Sequence, residues 1–190
     1  MRSFLIALGL AVTVMFTLTV KTAGGEAITP AAPDDRQLAV ATFAGGCFWC
    51  VEADFDKVPG VIRTVSGYTG GKVENPDYKQ VSAGGTGHLE SVQVFYEPAR
   101  VSYEDLLAAF WRMVEPTDAG GQFVDRGEQY STAIFYHDDQ QRHLAEQSRA
   151  QLAASGRFDR GTVAIVPTGL VIALDDTLTY ELDPKMLRLF

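Results

Sequence analysis

The sequence predicts a two-layer α/β or α+β domain. Two patterns and a composition predict it. Short apolar runs of strand length alternate with segments of helical spacing, and Gly- or Pro-containing turns separate them. At 190 residues, 46% hydrophobic and 21% charged, the chain has the make-up of one globular domain rather than a disordered or fibrous protein.

Residues 37–43 (QLAVATF) are apolar and end at Gly45-Gly46, which reads as a strand. Residues 47–58 carry Phe48, Val51, Phe55 and Val58 at helical spacing, and Pro59-Gly60 ends that helix. Residues 61–66 (VIRTVS) form a second strand. Residues 67–87 are glycine-rich and read as one long, functional loop. Residues 88–96 (HLESVQVFY) make a third strand, closed by Glu97-Pro98. Ser102 reads as the N-cap of a helix with an acidic first turn, running to about residue 114. A second loop spans 115–129, and a fourth strand 130–136. Residues 138–154 predict a polar amphipathic helix carrying Leu144 and Leu152, and 162–166 a short last strand before Pro167. The chain has no internal repeat.

The N-terminus reads differently. Met1-Arg2 is a basic start, residues 4–20 run without a charge, and small residues follow up to Ala27. That order predicts a secretory signal peptide over 1–27 cleaved after Ala27, with an uncleaved membrane anchor as the alternative. Residues 28–36, with two prolines, read as a linker. The folded part is then expected outside the cytosol, in the periplasm or cell envelope. A net charge of -8, from 16 Lys+Arg against 24 Asp+Glu, argues against nucleic acid or an anionic membrane as main partner.

The chain has 2 cysteines, which excludes a disulfide scaffold or a Cys-only zinc site. They stand in Gly45-Gly46-Cys47-Phe48-Trp49-Cys50. The Gly-Gly turn puts both on the first turn of a helix, where free amides and the helix dipole favour a thiolate. Three residues apart, they share a face and can form a local disulfide. Phe48 and Trp49 offer an apolar wall for a small apolar group. A structural staple is the alternative, but so short a loop gives little chain-entropy stabilisation, so redox chemistry is favoured. His88, His137 and His143 lack metal-site spacing with these cysteines and read as structural or surface residues.

Glu90 shares a strand face with Val92 and Val94. If that face is buried, its carboxyl stays protonated and can act as an acid; if the other face is buried, Glu90 is solvated. The pattern does not choose. Tyr78 and Tyr130 flank the long loops and can donate O–H to an oxygen-bearing substrate, although packing tyrosines are commoner. Asp125, before Arg126-Gly127, reads as a turn residue.

Gly46-Cys47-Phe48-Trp49 resembles the signature of the A-type peptide methionine sulfoxide reductases. The likeness continues through Gly67-Tyr68-Thr69-Gly70-Gly71, Asn75-Pro76-Asp77-Tyr78, Thr86-Gly87-His88-Leu89-Glu90, Phe110-Trp111 and Gly127-Glu128-Gln129-Tyr130, and covers about residues 37–160. It implies a ferredoxin-like two-layer sandwich around a mixed sheet, with a catalytic domain over 37–166 and a divergent tail over 167–190. It implies Cys47 as nucleophile on the sulfoxide sulfur and Glu90 as the acid protonating its oxygen. Tyr78 and Tyr130 would bond that oxygen, Phe48 and Trp49 would hold the substrate methyl group, and Asp125 would line the pocket. The product would be methionine, from the S epimer, with a Cys47 sulfenic acid. No bound cofactor or metal is implied, and the expected state is a monomer. Cys50 stands where the family often has a small residue. It is expected to resolve the sulfenic acid as a Cys47–Cys50 disulfide, reduced by a thioredoxin-like donor. Phe123-Val124 stands where many members have Gly-Asn, and the sequence after Arg160 departs from the family pattern. The competing readings are an envelope thiol–disulfide oxidoreductase and an inactive, tail-damaged homologue.

Overall fold

The computed structural model describes residues 38–158, 163–168 and 172–173. The signal or anchor segment 1–27, the linker 28–36 and most of the tail 167–190 lie outside the described residues.

The sheet grows around β1 (Ala39–Gly45), whose apolar run is buried from Ala41 onward. β1 pairs antiparallel with β3 (Leu89–Tyr96) on one side and with β6 (Thr132–Tyr136) on the other. β2 (Val61–Thr69) adds antiparallel to β3, and a two-residue β8 (Ile172–Ala173) to β2. β7 (Ala164–Pro167) joins β6 in parallel, which makes the six-stranded sheet mixed, in the order β7-β6-β1-β3-β2-β8. Pro167 is tolerated in β7 because that strand is an edge, where a missing N–H costs no ladder bond.

The helices pack on the face that carries Phe43, Val92, Val94 and Ile134. Phe43 is the hub: its ring lies 4.9 Å from Phe55 of α1 (Phe48–Phe55) and 4.9 Å from Phe110 of α3 (Tyr103–Met113). Fully burying such a ring contributes roughly 2–3 kcal/mol. α3 starts at Ser102 in a capping box with Asp105, worth about 1 kcal/mol. α4 (Asp139–Ala154) is capped by Asp138, and its Gln141 side chain donates to the Val40 carbonyl of β1 at 2.7 Å. That bond explains how so polar a helix is fastened to the sheet.

Four sequence expectations are corrected. The helix predicted over 47–58 ends at Phe55, since Pro59 disfavours helical geometry just before it and the chain leaves through a turn. Residues 67–87 are not one loop: β2 runs on to Thr69, and a short α2 (Tyr78–Ser82) follows, fixed by a capping box between Asp77 and Gln80. The loop 115–129 contains a hairpin of β4 (Gly121–Gln122) and β5 (Asp125–Arg126). Tyr130 ends a 3-10 turn (Glu128–Tyr130) instead of starting a strand.

Candidate active site

The site is built on the N-terminal turn of α1. Gly46 turns the chain at φ +94°, and a Cβ there would lie 2.7 Å from Cβ of Gln122, so only glycine lets the turn close against the β4–β5 hairpin. Cys47 is the N-cap of α1. Its carbonyl accepts from the Cys50 and Val51 amides at 3.1 and 3.2 Å, while the Phe48 amide of the same turn points away from the helix toward β3. Cys47 is half-buried and Cys50 exposed; both are free thiols.

Glu90 meets this turn directly. Its Oε2 accepts from the Phe48 amide at 3.1 Å, and the residue is only 2% exposed. The ambiguity left by the strand pattern is resolved: Glu90 lies on the helix-facing side with Val92 and Val94. Burial raises its carboxyl from an ordinary 4.5 to about 8, against the opposing pull of the Phe48 hydrogen bond. The group is therefore a protonated acid at neutral pH.

Aromatic rings pack around the turn that follows Cys47. Phe48 packs against Trp49 at 4.9 Å and Tyr68 at 5.6 Å, and Trp49 stacks on Tyr78 at 5.8 Å. Tyr78 opens α2, and Tyr130 ends the 3-10 turn. The two elements are tied together. Gln129 donates to the Ser82 carbonyl at 3.2 Å, and the Glu128 carboxylate accepts from the Gly85 and Gly87 amides at 2.8 and 3.4 Å. Burial raises both phenols, Tyr130 to about 12, so both stay O–H donors. Asp125, half-buried on β5, is also raised by burial, and its charge bears on Glu90, Cys50 and both tyrosines. The structure thus brings Cys47, Cys50, Phe48, Trp49, Tyr78, Glu90, Asp125 and Tyr130 to one place. Asp125 is a strand residue of the hairpin; the turn is Phe123-Val124.

Tyr68 was missed by the sequence reading. It sits directly across from Glu90 in the β2–β3 ladder, 1% exposed. Its hydroxyl is buried with no hydrogen-bond partner among the described residues. The available signal was strand alternation carried through Gly67, which instead read as the start of a loop. His88 is a structural residue: its ring bonds the Val73 carbonyl at 2.8 Å and the Gly71 amide at 3.3 Å.

The helix N-terminus was expected to favour a thiolate in this pair, without choosing between the sulfurs. Cys47 donates its S–H to Cys50, and this bond, with burial, raises Cys47. The same bond lowers Cys50 from 9.0 to about 7. Two thiols sharing one proton titrate as a pair, and the exposed member carries the charge more cheaply. Amides of Trp49 and Cys50 also point at the Cys47 sulfur and favour charge there.

A thiol-based redox enzyme is the class that this sheet and this site define. A family model described as peptide methionine sulfoxide reductase matches residues 39–170. Peptide methionine sulfoxide reductase MsrA of Listeria innocua is 54% identical over 128 residues, 67% of this chain and 72% of that protein. Methionine sulfoxide reductase A of Corynebacterium diphtheriae superposes with a TM-score of 0.66 at 31% identity, over 74% of this chain and 71% of that one. Mxr1 of Saccharomyces cerevisiae, crystallised in complex with Trx2, shares the fold at a TM-score of 0.56 and 18% identity, over 80% and 91%. The chain belongs to the A-type peptide methionine sulfoxide reductases.

Proposed function

We propose that this enzyme reduces the S epimer of methionine sulfoxide, in proteins or free, through Cys47, Glu90 and Cys50. The observation that carries the residue roles is the hydrogen bond from the Phe48 amide to the Glu90 carboxyl, which joins a buried acid to the helix turn that begins at Cys47. A sulfoxide oxygen leaves poorly until it is protonated. The Glu90 O–H donates to that oxygen while the Cys47 sulfur attacks the sulfoxide sulfur and its proton passes to Cys50. The tyrosine hydroxyls of Tyr78 and Tyr130 steady the oxygen, and Phe48 and Trp49 receive the methyl group. Methionine leaves, the oxygen stays on Cys47 as sulfenic acid, and Glu90 regains a proton from solvent. The Cys50 sulfur then attacks Cys47, forming a disulfide and releasing water.

A thioredoxin-like protein returns the two electrons, a reading supported by the Trx2 complex of Mxr1. An exported, envelope location is supported by the basic start and uncharged run of residues 1–27.

The test is dithiothreitol-driven reduction of the separate S and R sulfoxides by wild type, Cys47→Ser and Glu90→Gln. Turnover of the S epimer only, abolished by Cys47→Ser and reduced at least about a hundredfold by Glu90→Gln, is expected. Full activity of Cys47→Ser would refute the assignment. Mass spectrometry after one turnover checks Cys50: a persisting Cys47 sulfenic acid beside a free Cys50 would remove it from the cycle.

A further inference from the structure

We infer that the groove beside Cys50, walled by the Phe123–Val124 tip of the β4–β5 hairpin, is the docking surface for a dithiol reductant protein. The inference rests on the proposed role of Cys50 as resolving cysteine. Phe123 is 63% and Val124 76% exposed; the other large apolar residue exposed among the described residues is Val73, at 37%. Adjacent exposed apolar side chains beside a reactive sulfur are an unusual use of surface. They edge a groove of about 660 Å³ that also holds Cys47, Cys50, Trp49 and Met113.

The tip is held rigidly. Gln122, 1% exposed, accepts from the Glu115 amide at 2.7 Å and donates to the carbonyls of Glu115 and Gly121 at 3.0 and 2.7 Å. Arg126 is paired with Asp118, and the Gly127 amide donates to the Gly120 carbonyl at 3.1 Å. Phe123 takes a left-handed φ of +52°, a conformation rarely adopted by a bulky residue, and its side chain stands in solvent. A preformed apolar knob loses little freedom when a partner covers it.

The chemistry selects the occupant. Cys47, Trp49 and Asp125 line this groove, but Glu90, Tyr78 and Tyr130, the groups proposed to address the sulfoxide oxygen, do not. The more exposed of its two sulfurs is that of Cys50. A thiolate of the incoming protein attacks Cys50 of the Cys47–Cys50 disulfide; the S–S bond breaks, the electron pair goes to Cys47, and a mixed disulfide with Cys50 forms. The partner's second thiol then attacks its own mixed-disulfide sulfur and releases Cys50. The partner ends oxidised to a disulfide and this enzyme as a dithiol, with two electrons and two protons transferred. Half-buried Cys47 is the leaving group, so attack comes from the groove side. A small dithiol makes the same attack without needing the apolar knob.

The test compares wild type with a Phe123→Ser/Val124→Ser double variant, and with Val124→Ser alone in case the double variant unfolds. Each is driven by dithiothreitol, then by purified thioredoxin with its NADPH-dependent reductase. Expected is a KM for thioredoxin raised about tenfold or more in the double variant and less in the single one, with kcat at saturating thioredoxin and all dithiothreitol-driven constants within about twofold. An unchanged KM for thioredoxin overturns the inference. So does an equal loss with dithiothreitol, or a raised KM for an oxidised peptide with none for thioredoxin, which would make the knob a substrate contact. Cys50→Ser, run in parallel, separates the two readings: if it keeps thioredoxin-driven turnover, the role of Cys50 fails first and takes the docking inference with it.

Discussion

Replacing Glu90 by Gln should stabilise the protein increasingly as pH rises, relative to wild type. The substitution keeps the shape and an acceptor oxygen for the Phe48 amide at 3.1 Å, and removes only the ability to ionise. The folded carboxyl titrates near 8, against an ordinary 4.5 when unfolded. Below 4.5 the carboxyl is neutral in both states and its burial carries no charge penalty. As pH rises from 4.5 to 8 the unfolded chain ionises and the folded one does not, so wild type loses stability; above 8 the loss is complete. At ~1.4 kcal/mol per pH unit the whole window amounts to about 3–5 kcal/mol, a large share of a typical domain's stability. The group is nearly inaccessible, so solvent screening removes little of it. Urea denaturation of both proteins from pH 4 to pH 9 measures the difference directly, and titrations common to both, such as Asp125, largely cancel. A flat difference across that range would mean that Glu90 has an ordinary carboxyl, and the argument for it as an acid would fall.

Three further outcomes are expected. The pH profile of kcat/KM should be bell-shaped, rising as the thiol pair ionises near 7 and falling as Glu90 ionises near 8, and residual Glu90→Gln activity should lack the basic limb. Gly46→Ala should cost about 2–4 kcal/mol in urea denaturation, because its Cβ at φ +94° would stand 2.7 Å from Gln122; a cost below ~1 kcal/mol would mean that the hairpin yields. Tyr68→Phe should leave stability unchanged or raise it by up to ~1 kcal/mol, since the hydroxyl it removes is buried without a partner among the described residues. A loss above ~2 kcal/mol would reveal a bond to that hydroxyl.

The cysteine turn was legible because its causes are local: two glycines, then apolar residues at helical spacing, fix Cys47 as a cap and Cys50 one turn on. Glu90 was half legible. Alternation groups it with Val92 and Val94, but the opposite face of β3 carries Leu89 and Phe95 beside Ser91 and Gln93, so neither face reads as purely polar or purely apolar. Tyr68 was hidden by Gly67, a glycine inside a strand that reads as a break. The Asp77-x-x-Gln80 spacing did announce α2, and was overlooked amid the glycines. The β4–β5 hairpin was beyond periodicity, since strands of two residues have none. The acidity of Cys50 was beyond it too, because it depends on which of two sulfurs keeps a shared proton.

That shared proton links the two halves of the site. The first turn of α1 offers its amides in two directions, Phe48 to Glu90 and Trp49 with Cys50 to the Cys47 sulfur. If both the carboxyl and the thiols were charged, two anions would compete for one positive helix end and repel each other; each is in fact raised by the charge of the other. For Glu90 and the two thiols together, one negative charge is therefore the favoured count near neutral pH, the charge of Asp125 adding to the pressure against a second. Burial decides its location: Glu90, 2% exposed, keeps its proton, and the solvent-facing Cys50 gives one up. The resulting state holds a proton donor and an ionised sulfur pair at once, the combination that the proposed mechanism uses. In that mechanism a fully protonated site would lack the nucleophile, and a doubly ionised one the acid. Moving the charge from Cys50 to Cys47 takes an uphill proton shift between adjacent sulfurs, and the Trp49 and Cys50 amides, aimed at the sulfur that receives it, reduce its cost.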